Sequence, residues 1–185
     1  MTEQTQHSPS RTAVVSGAVL AGLLVVGVVV ASRFLPDEPA ADAPRVHDGP
    51  VGLVPVDAPD AGAPQCGALL AALPDRLPNG DKPLARLPIA EPAPVGTMVW
   101  GDRVGDPVVL RCGLGKPPEL TSTSALRDVS GVRWLPVDGE VSATWFAVDR
   151  GVYVALTMPN GVGTGPLQTV SEVVGRSLAV QEVRP

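Results

Sequence analysis

The sequence predicts an α+β protein: a small antiparallel β-sheet covered by two helices, preceded by one transmembrane helix and a Pro/Ala-rich linker. Three observations carry this. Residues 12–32 form an uncharged apolar run between Arg11 and Arg33. Residues 33–64 are dense in proline, alanine and aspartate. Beyond them, β-rich runs joined by short turns lie between two stretches of helical character.

The apolar run, TAVVSGAVLAGLLVVGVVVAS, holds about twenty residues, and at about 1.5 Å per residue a helix of that length spans the hydrocarbon core of a bilayer. It exceeds the roughly 7–15 residues of a secretory signal core, so an uncleaved anchor is expected. A cleaved signal ending near Val29-Val30-Ala31 is the alternative. Residues 1–11 then form a cytoplasmic tail. Flanking charge does not orient the span, because Arg11 stands on one side and Arg33 and Arg45 on the other. The cysteines do. The chain has two, Cys66 and Cys112, both beyond the anchor. A disulfide needs a pair and persists outside the cytoplasm. The expected location is therefore the cell membrane, single-pass, with the folded domain extracytoplasmic. Two unrelated buried thiols are the alternative, and a redox-active pair lacks the CxxC spacing.

Residues 33–64 read as a disordered linker. Seven prolines remove backbone donors, and few large apolar groups are available to bury. Six acids face Arg45 alone within 34–64, which accounts for the chain's net charge of −5. A short extended piece, Val51 to Val56, is a candidate for docking on the domain. Residues 65–185 carry twelve acids and eleven bases. That near-neutral balance gives no basic face for nucleic acid.

The remaining stretch of about 120 residues suits one domain with one core. Cys66 to Leu73 is Ala/Leu-rich and stops before Pro74, as a short helix does. Thr97–Trp100, Val108–Cys112 and Val132–Leu135 read as strands. Ala143–Val148 and Val152–Met158, separated by Asp149-Arg150-Gly151, read as a hairpin. After a Gly-rich loop, Leu167, Val170, Val174 and Leu178 mark one apolar face of a second helix.

The chemistry-bearing residues are sparse. His7 and His47 are the two histidines, and both precede the domain. A Ser-His-Asp or Cys-His hydrolase therefore has no base within it, and a zinc site has too few ligands. No metal or other cofactor is expected. Gly161-Val162-Gly163-Thr164-Gly165 lacks the spacing and lysine of a phosphate loop. Carboxylates remain: Asp102, Asp106 and Asp149 sit at turns beside Arg103, Arg111 and Arg150. Two of them across a cleft could act as acid and base, but turn aspartates more often bond nearby backbone. Trp145 and Phe146 are neighbours on a strand and so point to opposite faces. One of them is expected on the open side of the sheet. Trp145, Phe146 and Tyr153, with Asp149 and Arg150 on the adjoining turn, form the expected contact surface.

Four stretches, in order, resemble one family: Cys66-Gly67-Ala68-Leu69-Leu70-Ala71-Ala72-Leu73-Pro74-Asp75-Arg76-Leu77, Pro107-Val108-Val109-Leu110-Arg111-Cys112-Gly113, Val132-Arg133-Trp134-Leu135 and Val148-Asp149-Arg150-Gly151-Val152-Tyr153-Val154. It is the actinobacterial, membrane-anchored domain of unknown function family 3515. Twelve arginines against two lysines fit a high-GC source of that kind. In the family, Trp-Gly-Asp usually runs directly into Pro. Here Arg103-Val104-Gly105-Asp106 intervenes before Pro107, so either Asp102 or Asp106 stands at the family position. The resemblance implies an envelope protein with Cys66 paired to Cys112, and implies no activity.

The function expected from these features is a membrane-tethered, extracytoplasmic interaction or accessory module of the cell envelope, not an enzyme. Residues 12–32 engage the membrane, the folded domain holds a protein partner, and no nucleic acid is bound. One alternative is an envelope carbohydrate- or peptide-binding domain using the open sheet face. The other is a carboxylate-dependent hydrolase.

Overall fold

The structure is a computed structural model and describes residues 49–185. The expected tail 1–11, anchor 12–32 and first half of the linker lie outside the described residues. Among the described residues no helix is long and apolar enough to cross a membrane.

Helix α1 (Pro64–Ala72) opens the domain, with Pro64 in its first turn, where a missing N–H costs nothing. Four strands follow: β1 (Arg76–Leu77), β2 (Leu84–Arg86), β3 (Thr97–Gly101) and β4 (Val108–Leu114). After a connection through Leu120 come β5 (Arg127–Val129), β6 (Val132–Asp138), β7 (Ser142–Ala147) and β8 (Tyr153–Pro159). Helix α2 (Gly165–Ser177) closes the order. The strands form one eight-stranded sheet in the order β1-β2-β3-β4-β8-β7-β6-β5, and every pairing is antiparallel. Two four-strand meanders are thus joined where β4 meets β8. The expected small sheet is larger than the sequence suggests, because β1, β2 and β5 are only two or three residues long and carry no readable alternation.

Both helices cover one face of the sheet. Leu69 of α1 and Leu73 directly after it, with Leu167, Val170, Val173 and Val174 from α2, pack with Trp100, Leu110, Trp134, Val154 and Leu156 of the strands. The expected apolar stripe of α2 is therefore the stripe that is buried. Its last member, Leu178, follows the helix directly and is buried as well. Two buried indoles are satisfied locally. Trp100 Nε1 donates to the Pro74 carbonyl at 2.9 Å, and Trp134 Nε1 donates to Ser171 Oγ at 2.9 Å. Cys66 of α1 and Cys112 of β4 form a disulfide across 46 residues of sequence, with their Cα atoms 5.6 Å apart. It fastens the helical layer to the middle of the sheet.

The opposite face is covered by irregular segments rather than by helices. Residues 51–57, within the stretch assigned by composition to the linker, lie against it. Val51 is buried with Leu87, Val99 and Val109, forms a bridge with Ile89, and exchanges backbone hydrogen bonds with Pro88 and Ala90. The extended piece Val51 to Val56, singled out within the linker as a docking candidate, is thus seated at its first residue, because a few apolar residues spaced by glycine and proline suffice to hold one extended strap. Farther along, Asp60 N–H donates to the Gly113 carbonyl at 2.9 Å. Gly113 forms a bulge in β4 with φ +83°, and a Cβ there would meet the Asp60–Ala61 backbone. The extra residue shifts the alternation, so that Leu114 pairs with Tyr153. On the other half of this face, Leu120 and Val183 pack over Leu135, Phe146, Val148 and Tyr153.

Candidate functional site

Between those two covers the middle of the sheet stays open. The floor of the opening comes from alternate residues of three adjacent strands: Arg111 of β4, Ala155 and Thr157 of β8, and Thr144 and Phe146 of β7. One wall is the strap at Val56 and Asp57, and the other is the loop from Leu114 to Pro118. The groove has a volume of about 420 Å³, within the usual range of roughly 300–1,000 Å³ for ligand sites.

Arg111 is the unusual member. Strand periodicity puts it on the same face as Val109, in the central part of the sheet, where its side chain is only partly solvated. Nη2 reaches the Val54 carbonyl at 3.5 Å, the outer limit of a hydrogen bond. Nε is buried and makes no hydrogen bond. Among the described residues no carboxylate forms an ion pair with it. Desolvation pushes its pKa below the ordinary arginine value. Lys116 and Asp57 also line the groove, and both residues are exposed. The two threonines close the polar inventory, with Thr144 Oγ1 and Thr157 Oγ1 3.0 Å apart. The site offers a partly desolvated cation, an aromatic edge and hydroxyls. It contains no nucleophile paired with a base.

The residues expected to form one contact surface are divided among different environments. Phe146 and Tyr153 share the groove side of the sheet, in one apolar cluster. Trp145 points to the helix face. There it is half-buried beside a second cleft of about 500 Å³, with Met158, Val162 and Leu167. Asp149 and Arg150 present no contact surface. Both are buried, and Arg150 Nη1 lies 2.8 Å from Asp149 Oδ2. Arg150 also donates to the carbonyls of Asp149 and Gly131, each at 2.9 Å, and the Asp149 carbonyl accepts Gln181 N–H at 2.9 Å. This pair ties the C-terminal segment to two turns. The sequence shows a polar hairpin turn and gives no sign that another segment covers it.

The turn aspartates divide similarly. Asp102 and Asp106 are exposed and line one shallow depression of about 240 Å³. Asp102 Oδ1 accepts the Val104 N–H at 2.8 Å, an Asx turn. Asp149 is not brought to them. Among the described residues no cluster of three or more His, Cys, Asp or Glu is arranged to hold a metal. Arg111 and the groove walls were missed as a site in the sequence. An arginine at an inward-alternating position of an otherwise apolar strand, Val108-Val109-Leu110-Arg111-Cys112, is the signal that could have found it.

The chain matches no curated protein and no solved structure. A family described as "Protein of unknown function (DUF3515)" matches residues 18–183, nearly the whole sequence, and the chain belongs to that family.

Proposed function

We propose that this chain is a non-catalytic, membrane-tethered module of an actinobacterial cell envelope, which holds a protein partner through the groove on the open sheet face. The observation that carries this reading is the groove itself. Three central strands direct Arg111, Thr144, Phe146, Ala155 and Thr157 into a space that neither the strap nor the 114–118 loop fills. The apolar run at 12–32 supports the tether. The Cys66–Cys112 disulfide supports an oxidising compartment. A domain without histidine supports binding over hydrolysis.

The test is photocrosslinking from within native membranes. A photoreactive residue at position 144 or 157 should recover one defined partner, and a control at exposed Arg133 on the same sheet should not. Equal labelling from all positions, or the monomer alone from every position, overturns the reading.

Trp145 supports a second reading. Its half-exposed ring and the neighbouring Asn160 and Gln168 line the helix-face cleft, a combination suited to stacking and hydrogen bonding with a sugar ring. Binding of soluble wall oligosaccharides that W145A abolishes and F146A leaves intact would favour it over the groove.

A further inference from the structure

We infer that the groove takes a peptide C-terminus, with the terminal carboxylate on Arg111 and the last apolar side chain against Phe146 and Ala155. This inference rests on the proposed binding role of the groove and names the chemistry of its occupant.

Charge comes first. A cation removed from water without a partner is costly, and proteins ordinarily pair such groups. Arg111 stands in the middle of the sheet with Nε buried and unbonded, Nη2 at a marginal 3.5 Å from one carbonyl, and no ion pair among the described residues. A carboxylate satisfies two guanidinium N–H groups at once, in the bidentate geometry that arginine favours. Lys116 adds a second positive charge at the rim, against Asp57 on the other wall. The groove lining thus carries one net positive charge, which suits a monoanion better than a phosphate dianion.

The walls indicate a peptide. Where the walls line the groove, the N–H groups of Val56 and Asp57 in the strap and of Gly115 and Lys116 in the opposite loop make no backbone hydrogen bond. Two unpaired stretches of backbone flanking an extended slot are what a peptide segment can pair with, as in strand addition. The Thr144 and Thr157 hydroxyls provide further donors and acceptors on the floor. A ligand without amides would leave the walls unused.

The inference is tested on the full chain in detergent micelles by NMR of the Arg111 Nε–Hε resonance. The probes are N-acetyl-Leu-Ala, its C-terminal amide, hexanoate and inorganic phosphate. The expected result is a saturable shift with the free acid and at least tenfold weaker binding of the amide. Hexanoate and phosphate should also bind more weakly than the dipeptide. Calorimetry then reads the variants: R111Q should lose the preference of acid over amide, and R111K should keep part of it. F146A should weaken acid and amide alike. Equal binding of acid and amide, phosphate binding as tight as the dipeptide, or no binding of any probe overturns the carboxylate assignment. Hexanoate as tight as the dipeptide overturns the peptide assignment. If crosslinking from positions 144 and 157 still yields one partner while R111Q changes nothing, the binding face stands and this inference alone fails.

Discussion

Trp134 Nε1 donates to Ser171 Oγ at 2.9 Å, and Ser171 in turn donates to the Leu167 carbonyl at 2.6 Å. Both residues are fully buried. The hydroxyl therefore satisfies an indole from β6 that would otherwise be orphaned between sheet and helix. S171A should leave that N–H unpaired in a dry core, at a cost of about 1–3 kcal/mol. Urea unfolding measures it, as a lower midpoint with an unchanged slope.

The disulfide closes a long loop from α1 to the central strand. Chain-entropy arithmetic for its 46-residue separation gives about 4 kcal/mol of stabilisation. The C66S/C112S double variant, or wild type under reductant, should unfold at a markedly lower temperature. Thiol titration of the unreduced, denatured protein should find no free cysteine.

The Asp149–Arg150 pair predicts a large structural effect. The two side chains are 6% and 1% exposed. R150A removes the cation and strands the carboxylate, and breaking a buried pair from one side costs about 3–5 kcal/mol. The released C-terminal segment should lose amide-exchange protection first, at Gln181, because its N–H bonds the Asp149 carbonyl. Partner capture measured below the lowered melting temperature should be unchanged.

Arg111 predicts the opposite sign. Its charge is partly desolvated and unpaired, so the folded state bears a penalty that a methionine would not. R111M should leave stability equal to wild type or raise it by about 1 kcal/mol, with loss of carboxylate binding. The sign with pH follows from the direction of the shift. A cation whose folded pKa is lowered destabilises the fold as long as both states are protonated, and that penalty is relieved only in strong alkali. The gain from R111M should therefore be flat from about pH 5 to about pH 9, since arginine stays charged throughout that range. A gain that varies across it would place the effect on another group.

Much of the domain was legible because its longer elements have clear periods. The α2 face at Leu167, Val170 and Val174 and the strands around Trp100, Leu110 and Trp134 are buried as the pattern requires, and β7 and β8 pair as the expected hairpin. The opposite orientations of Trp145 and Phe146 follow from strand alternation alone. Their assignment to particular faces does not, because each face of this sheet buries apolar side chains under its own cover. The short strands at Arg76, Leu84 and Arg127 are held by their neighbours in the sheet rather than by local preference. The docking of the Val51–Val56 piece was legible as a candidate, but its seat on Val99 and Val109 was not, because nothing local to the piece names its distant partners.

By itself the sequence determined an apolar span at 12–32, a cysteine pair, an α+β domain and the absence of histidine from that domain. These are properties of composition, spacing and period, and they survive without knowledge of contacts. The burial of Asp149 and Arg150, and the place of Arg111 on the floor of a groove without an ion-pair partner among the described residues, emerge from the folded contacts alone. Burial and pairing depend on which distant segments cover a side chain. Here those segments are a strap far upstream, whose Val51–Val56 piece was a docking candidate in the sequence without a readable target, and a C-terminal tail that no local pattern marks.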